Sequence, residues 1–154
     1  MNEDEKEKRG LLKDEYLHLQ QIIREFDNRA VTIKAWSITF SMTTVVGAFV
    51  YHISVAFWLS CVSSLMFWLI ETYWKTFQYA YYDRTGKIED YFSGDLKTIV
   101  PMQIGKSWYK RYQTGGAKRF MKIMFRPHVS LPHNIVFVSG IVLYILYKIS
   151  FIRI

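Results

Sequence analysis

Arg126 and His133 stand seven residues apart, one a permanent cation and the other an imidazole able to give or take a proton. Held side by side, such a pair could bind a phosphate and support acid–base work. Pro127 and Pro132 lie between them and an apolar run starts at once. That context favours a cationic, turn-forming collar over a nuclease pair. His128 and His133 offer two imidazoles, but no Cys or acid stands near enough in sequence to complete a metal-ligand set. Gly105-Lys106-Ser107 has the ending of a phosphate-binding loop, yet Val100 stands where its first glycine belongs. Neither Cys-x-x-Cys nor His-Glu-x-x-His occurs. The expectation is a protein that is not an enzyme, with no cofactor and no metal.

Glu71 is the ionisable residue with most to say. It stands at the end of an apolar run, with Lys75 one helical turn on. Acids at membrane depth face a bundle interior or a water-filled path. The simpler expectation is a Glu71–Lys75 pair at headgroup level.

What must position these residues is a membrane hairpin. From Ala35 to Ile70, about 36 residues contain no Asp, Glu, Lys or Arg, which suits two crossings of roughly 18 residues each. The chain is expected to reverse near Tyr51-His52-Ile53-Ser54. Trp36, Trp58, Trp68 and Trp74 lie near the ends of the two runs, as interfacial anchors do. Arg24, Arg29 and Lys34 precede the hairpin, Lys75, Arg84 and Lys87 follow it, and the turn offers only His52. The positive-inside rule therefore puts both flanks in the cytoplasm. Met1-Asn2-Glu3-Asp4-Glu5-Lys6 has no apolar segment, so no cleaved signal peptide is expected. Cys61 is the only cysteine and reads as a small buried apolar residue.

Before the hairpin, Leu12, Tyr16, Leu19, Ile23, Phe26, Ala30 and Ile33 alternate spacings of four and three. That is a heptad seam, which predicts one rod from about Leu11 to Val50 after a frayed charged start. The seam suits packing within the chain or between subunits. The oligomer reading rests on Leu12, Tyr16, Leu19, Ile23 and Phe26. In the crossings, Ser37, Ser41, Thr44 and Gly47 share one face, and Ala56, Ser60 and Ser64 share another. Small faces hold helices together. The sharper reading makes Ser37, Ser41, Thr44 and Glu71 a polar path.

Past Ile70 the second helix is expected to continue until Ser93-Gly94, with Val100-Pro101 in a loop. Lys106, Lys110, Arg111, Lys118, Arg119, Lys122 and Arg126 then form a basic, aromatic segment without an acid, divided at Gly115-Gly116. Beside a bilayer this reads first as a helix on anionic headgroups and second as a nucleic-acid contact. The last apolar run, Ile135 to Tyr147, reaches crossing length if Leu131 to Ile152 is counted and Lys148 snorkels. A third crossing is favoured over a helix packed at the interface.

The spacing of Arg126 and His133 is similar to the Arg-to-His element of HEPN-type ribonucleases. It also resembles, with the small size, the accessory membrane protein of type VI CRISPR systems. Over residues 11–92 the layout of cytoplasmic helix, tight hairpin and returning helix resembles SLATT-type two-transmembrane proteins. Arg29-Ala30-Val31-Thr32-Ile33-Lys34-Ala35-Trp36-Ser37 and Leu131-Pro132-His133 look like wording from small bacterial membrane proteins of this kind. The SLATT resemblance implies a pore-forming antiphage effector. It transfers no functional residues, and the basic segment and third apolar run depart from it.

The expected architecture is an all-α membrane protein: a charged tail and heptad helix (1–34), a transmembrane hairpin (35–74), a cytoplasmic helix with a basic interfacial segment (75–130), and a third transmembrane or membrane-packed helix (131–154). The expected function is a self-assembling protein of the bacterial inner membrane that permeabilises or depolarises it in defence. Its partners would be the lipid bilayer, further copies of itself, and a cytoplasmic protein or nucleotide signal; nucleic acid is not favoured. The alternatives are a non-enzymatic anchor that recruits a cytoplasmic partner, and a membrane-tethered RNA-processing protein.

Overall fold

Five helices make up residues 2–149, which the computed structural model describes: α1 (Glu3–Val50), α2 (Val55–Ser93), α3 (Ile104–Tyr112), α4 (Gly116–Met124) and α5 (Pro127–Lys148). No strand occurs among the described residues. α1, α2 and α5 are each long and apolar enough to cross a membrane. With 48 residues α1 is about 72 Å long, so more than half of it extends beyond a hydrocarbon layer of about 30 Å.

α1 starts earlier than the charge run suggests. The Asn2 side chain accepts from the Glu3 amide at 2.8 Å, and Glu3, Asp4 and Glu5 suit the positive end of the helix dipole. The expected frayed segment is therefore helical. The reversal falls where expected, between Val50 and Val55, with His52 at φ 55°. α2 ends at Ser93, where Gly94 takes the left-handed conformation that closes a helix.

The heptad seam meets its partner inside the chain. Leu12 and Leu19 are fully buried against Ile88 and Ile99, with Tyr16, Tyr81 and Tyr91 around them. The Tyr16 hydroxyl donates to Glu89 at 2.8 Å, and Phe26 packs against Trp74 and Tyr81. Because α2 returns alongside α1, these seam residues pack within the chain, the first of the two arrangements that the spacing suits. Two polar fasteners reinforce the pair. Arg84 grips buried Glu15 with both Nε (2.8 Å) and Nη2 (2.9 Å), and the Met102 amide donates to the same carboxylate. Lys75 bonds Asp27 and Gln78, while the Gln78 amide donates to the Ile23 carbonyl.

The short helices lie along α2. α3 stacks Trp108 on Tyr112 and sends the Trp108 N–H to the Phe77 carbonyl. α4 buries Ile123 and Met124 against Trp68, whose indole N–H donates to the Met124 carbonyl at 2.9 Å. Trp68 is thus buried rather than interfacial, whereas Trp36 and Trp58 are exposed. α5 begins at Pro127, four residues before the expected boundary, because proline suits a first turn that lacks N–H partners. Its 22 residues reach about 33 Å without the tail. The expected extension to Ile152, with Arg153, lies outside the described residues.

Candidate functional site: a buried polar node and a cationic cleft

Glu71 is fully buried where α1, α2 and α5 meet, and it is held from two sides. Lys34 of α1 reaches Oε1 at 2.5 Å, and Nε2 of His133 on α5 meets Oε2 at 2.9 Å. The other ring nitrogen of His133 lies 2.9 Å from the Ser37 hydroxyl. The Ser64 hydroxyl donates to the His133 carbonyl at 2.7 Å. One carboxylate therefore ties three helices at one level. Since Glu71 accepts at Oε2, Nε2 carries the proton, and in the neutral ring Nδ1 accepts from Ser37; this tautomer follows from the bonding pattern.

The expected Glu71–Lys75 pair does not form. Lys75 turns to Asp27 and Gln78 instead, because the nearer cation to Glu71 comes from the neighbouring helix. A buried carboxylate without a countercharge is costly, so Lys34 and His133 are what make its position tenable.

Hydroxyls continue from the node toward the turn. Ser41 Oγ stands 3.5 Å from Ser63 Oγ, and Ser63 donates to the Ser60 carbonyl. The Ser60 hydroxyl is buried with no hydrogen-bond partner among the described residues. Thr44 leaves this row by bonding the Phe40 carbonyl of its own helix. Toward the turn, Phe57 is fully buried and meets Phe49 edge-on at 5.7 Å, closing the row with apolar atoms. α5 approaches α2 closely at Gly140, where an added Cβ would meet Cys61 Sγ at 2.5 Å and the Phe57 carbonyl at 3.3 Å.

Arg126 and His133 are not brought together as a nuclease pair. Arg126 caps the start of α5 with its guanidinium 4.6 Å above the Tyr79 ring, while His133 lies about 10 Å further along the helix axis. His128 also parts from His133, bonding the Tyr79 hydroxyl at 2.8 Å. Of the basic segment, Arg111, Lys118, Arg119, Lys122 and Arg126 line one cleft, whereas Lys106 and Lys110 do not.

Sequence reasoning singled out Glu71, His133 and Ser37 separately and missed Lys34, Glu15 and Arg84 as partners. Face spacing carries a signal for Lys34 and Glu15. Lys34 continues the line Ala30, Ser37, Ser41, and Glu15 lies between Leu12 and Leu19 on the buried face. Glu15 is held below the ordinary glutamate range: desolvation by burial pushes it up, and the bonds from Arg84 and the Met102 amide more than offset that. Comparison of the chain with protein-family models, curated proteins and solved structures finds no match.

Proposed function

We propose that this chain is a non-enzymatic protein of the bacterial inner membrane, its N-terminus cytoplasmic, whose three-helix bundle changes membrane permeability when a polar latch is released. The observation that carries the reading is Glu71, fully buried and held by the Lys34 ammonium and the His133 ring from two other helices. Ionisable residues at membrane depth mark ion paths or switches more often than plain packing. A buried ion pair adds little net stability over apolar packing, which leaves a registry or switching role as its best use. The orphan Ser60 hydroxyl and the Ser41–Ser63 contact support a polar row beyond the latch, and Phe57 supplies a plug.

Expression in bacterial cells tests this. Glu71→Gln should depolarise the membrane more than the wild type at equal protein levels; an unchanged potential would count against a latch. The second reading, a passive anchor for a cytoplasmic partner, is favoured by the seam that packs within the chain. It predicts no depolarisation from either protein.

A further inference from the structure

A cleft of about 560 Å³ opens between α2, the α3–α4 turn and the start of α5. Five cations line it, Arg111, Lys118, Arg119, Lys122 and Arg126, against one acid, Asp83. That acid is already engaged, with Oδ2 bonded to Lys87 at 2.6 Å and to Ser107 at 3.3 Å. No ion pair in the described residues joins Asp83 to any of the five. The cleft thus concentrates positive charge that the protein leaves uncompensated.

Arg119 is at its centre. Its Nη1 donates to the Arg111 carbonyl at 2.6 Å, which fixes the guanidinium, while Nη2 is buried and has no partner among the described residues. A buried guanidinium donor left unpaired is costly, and an anion is the partner that would satisfy it. Burial, then the neighbouring Arg111 and Arg126, push Arg119 below the ordinary arginine value, which reports the same unbalanced field. Gly115 makes the approach possible. It takes φ +96°, and a Cβ there would meet Arg119 Cβ at 2.9 Å. α4 also begins beside the cleft, at Gly115, without a side-chain cap.

We infer that this cleft is a phosphate-binding site, with the free Nη2 of Arg119 as the central donor and the other four cations around it. Guanidinium groups match phosphate oxygens in geometry as well as charge. Tyr79, beneath Arg126, adds an aromatic wall. The phosphate can come from an anionic lipid headgroup or from a soluble phosphate compound. Binding here does not depend on whether the helices conduct.

The test uses the full chain in nanodiscs, in two arms. In phosphatidylcholine alone, inorganic pyrophosphate is titrated by calorimetry. In the second arm, phosphatidylcholine and phosphatidylglycerol are mixed at roughly two to one, and native mass spectrometry counts retained phosphatidylglycerol. Pyrophosphate binding identifies a soluble phosphate source, and retention of phosphatidylglycerol alone identifies the headgroup. In either arm Arg119→Gln should weaken binding about tenfold or more, while Lys106→Gln, outside the cleft, should not. If Arg119→Gln does not fold, exposed Lys118→Gln is read in its place, with a smaller loss in the same direction. No binding in both arms, or equal losses in Lys106→Gln, would overturn the site.

Discussion

Glu71 and His133, both fully buried, face each other at 2.9 Å across the contact between α2 and α5. They are 62 residues apart in sequence, and Lys34 completes the pair from α1. The three apolar helices are therefore joined by polar bonds at one level, and the packing around those bonds can be probed directly.

Removing one partner should cost more than removing two. Glu71→Leu leaves His133 without its acceptor, and the loss should be about 3–5 kcal/mol. His133→Leu should be similarly damaging, because Lys34, with a quarter of its side chain exposed, only partly offsets the Glu71 charge. The double variant Glu71→Leu/His133→Leu should recover part of the loss. Chemical unfolding in detergent micelles gives the cycle; strictly additive losses would show that the two residues do not interact.

Leu19→Asp should lower the melting temperature without altering mass in detergent relative to the wild type. Leu19 is fully buried against α2, so the charge disrupts the α1–α2 pair instead of a contact between copies. Light scattering in detergent reads the mass. A shift from oligomer to monomer, with melting unchanged, would restore the intersubunit seam.

Glu15 links the long helices to the loop before α3, and its carboxyl is held below its ordinary value of 4.5. The ionised form therefore stabilises the fold above that value, and the contribution is lost as pH falls through the depressed one. Hydrogen exchange at the Met102 amide, relative to its intrinsic rate at each pH, should speed up on acidification. Arg84→Met should speed it at neutral pH by removing the grip on Glu15. Equal exchange in the two proteins across the acid range would remove Glu15 from this role.

Gly140→Val should push α5 away from α2, since even one added carbon meets Cys61 Sγ at 2.5 Å. Cys61 is buried and is the only cysteine, so its labelling by a small maleimide in detergent reports the gap. Labelling should be slow in the wild type and faster in the variant. Unchanged labelling would mean that the helices do not pack at this glycine.

The helices themselves were legible. The uncharged run, the four-and-three spacing and Ser93-Gly94 placed α1, the turn and the end of α2, because each reflects a local rule of hydropathy or capping. Which charges would pair was not. Glu71 and Lys75 have the right helical spacing, but α1 supplies Lys34 from across the bundle, and His133 comes from a third helix. The same limit applies to the cleft. Seven basic residues are visible in the segment, but only the fold of α3 and α4 against α2 selects Arg119 and four others for the cleft. Nor does spacing say what the seam packs on; the short turn at Tyr51–Ser54, by returning α2 alongside α1, lays Leu12 and Leu19 on Ile88 of the same chain.

The latch is tested most directly in vesicles. Wild type and Glu71→Gln are reconstituted at equal density, a potassium diffusion potential is imposed, and a potential-sensitive dye follows its decay. Glutamine keeps the shape of Glu71 but removes the charge that holds Lys34. The account predicts slow decay with the wild type and clearly faster decay with the variant. A folded Glu71→Gln protein whose vesicles hold the potential as long as protein-free ones would contradict it.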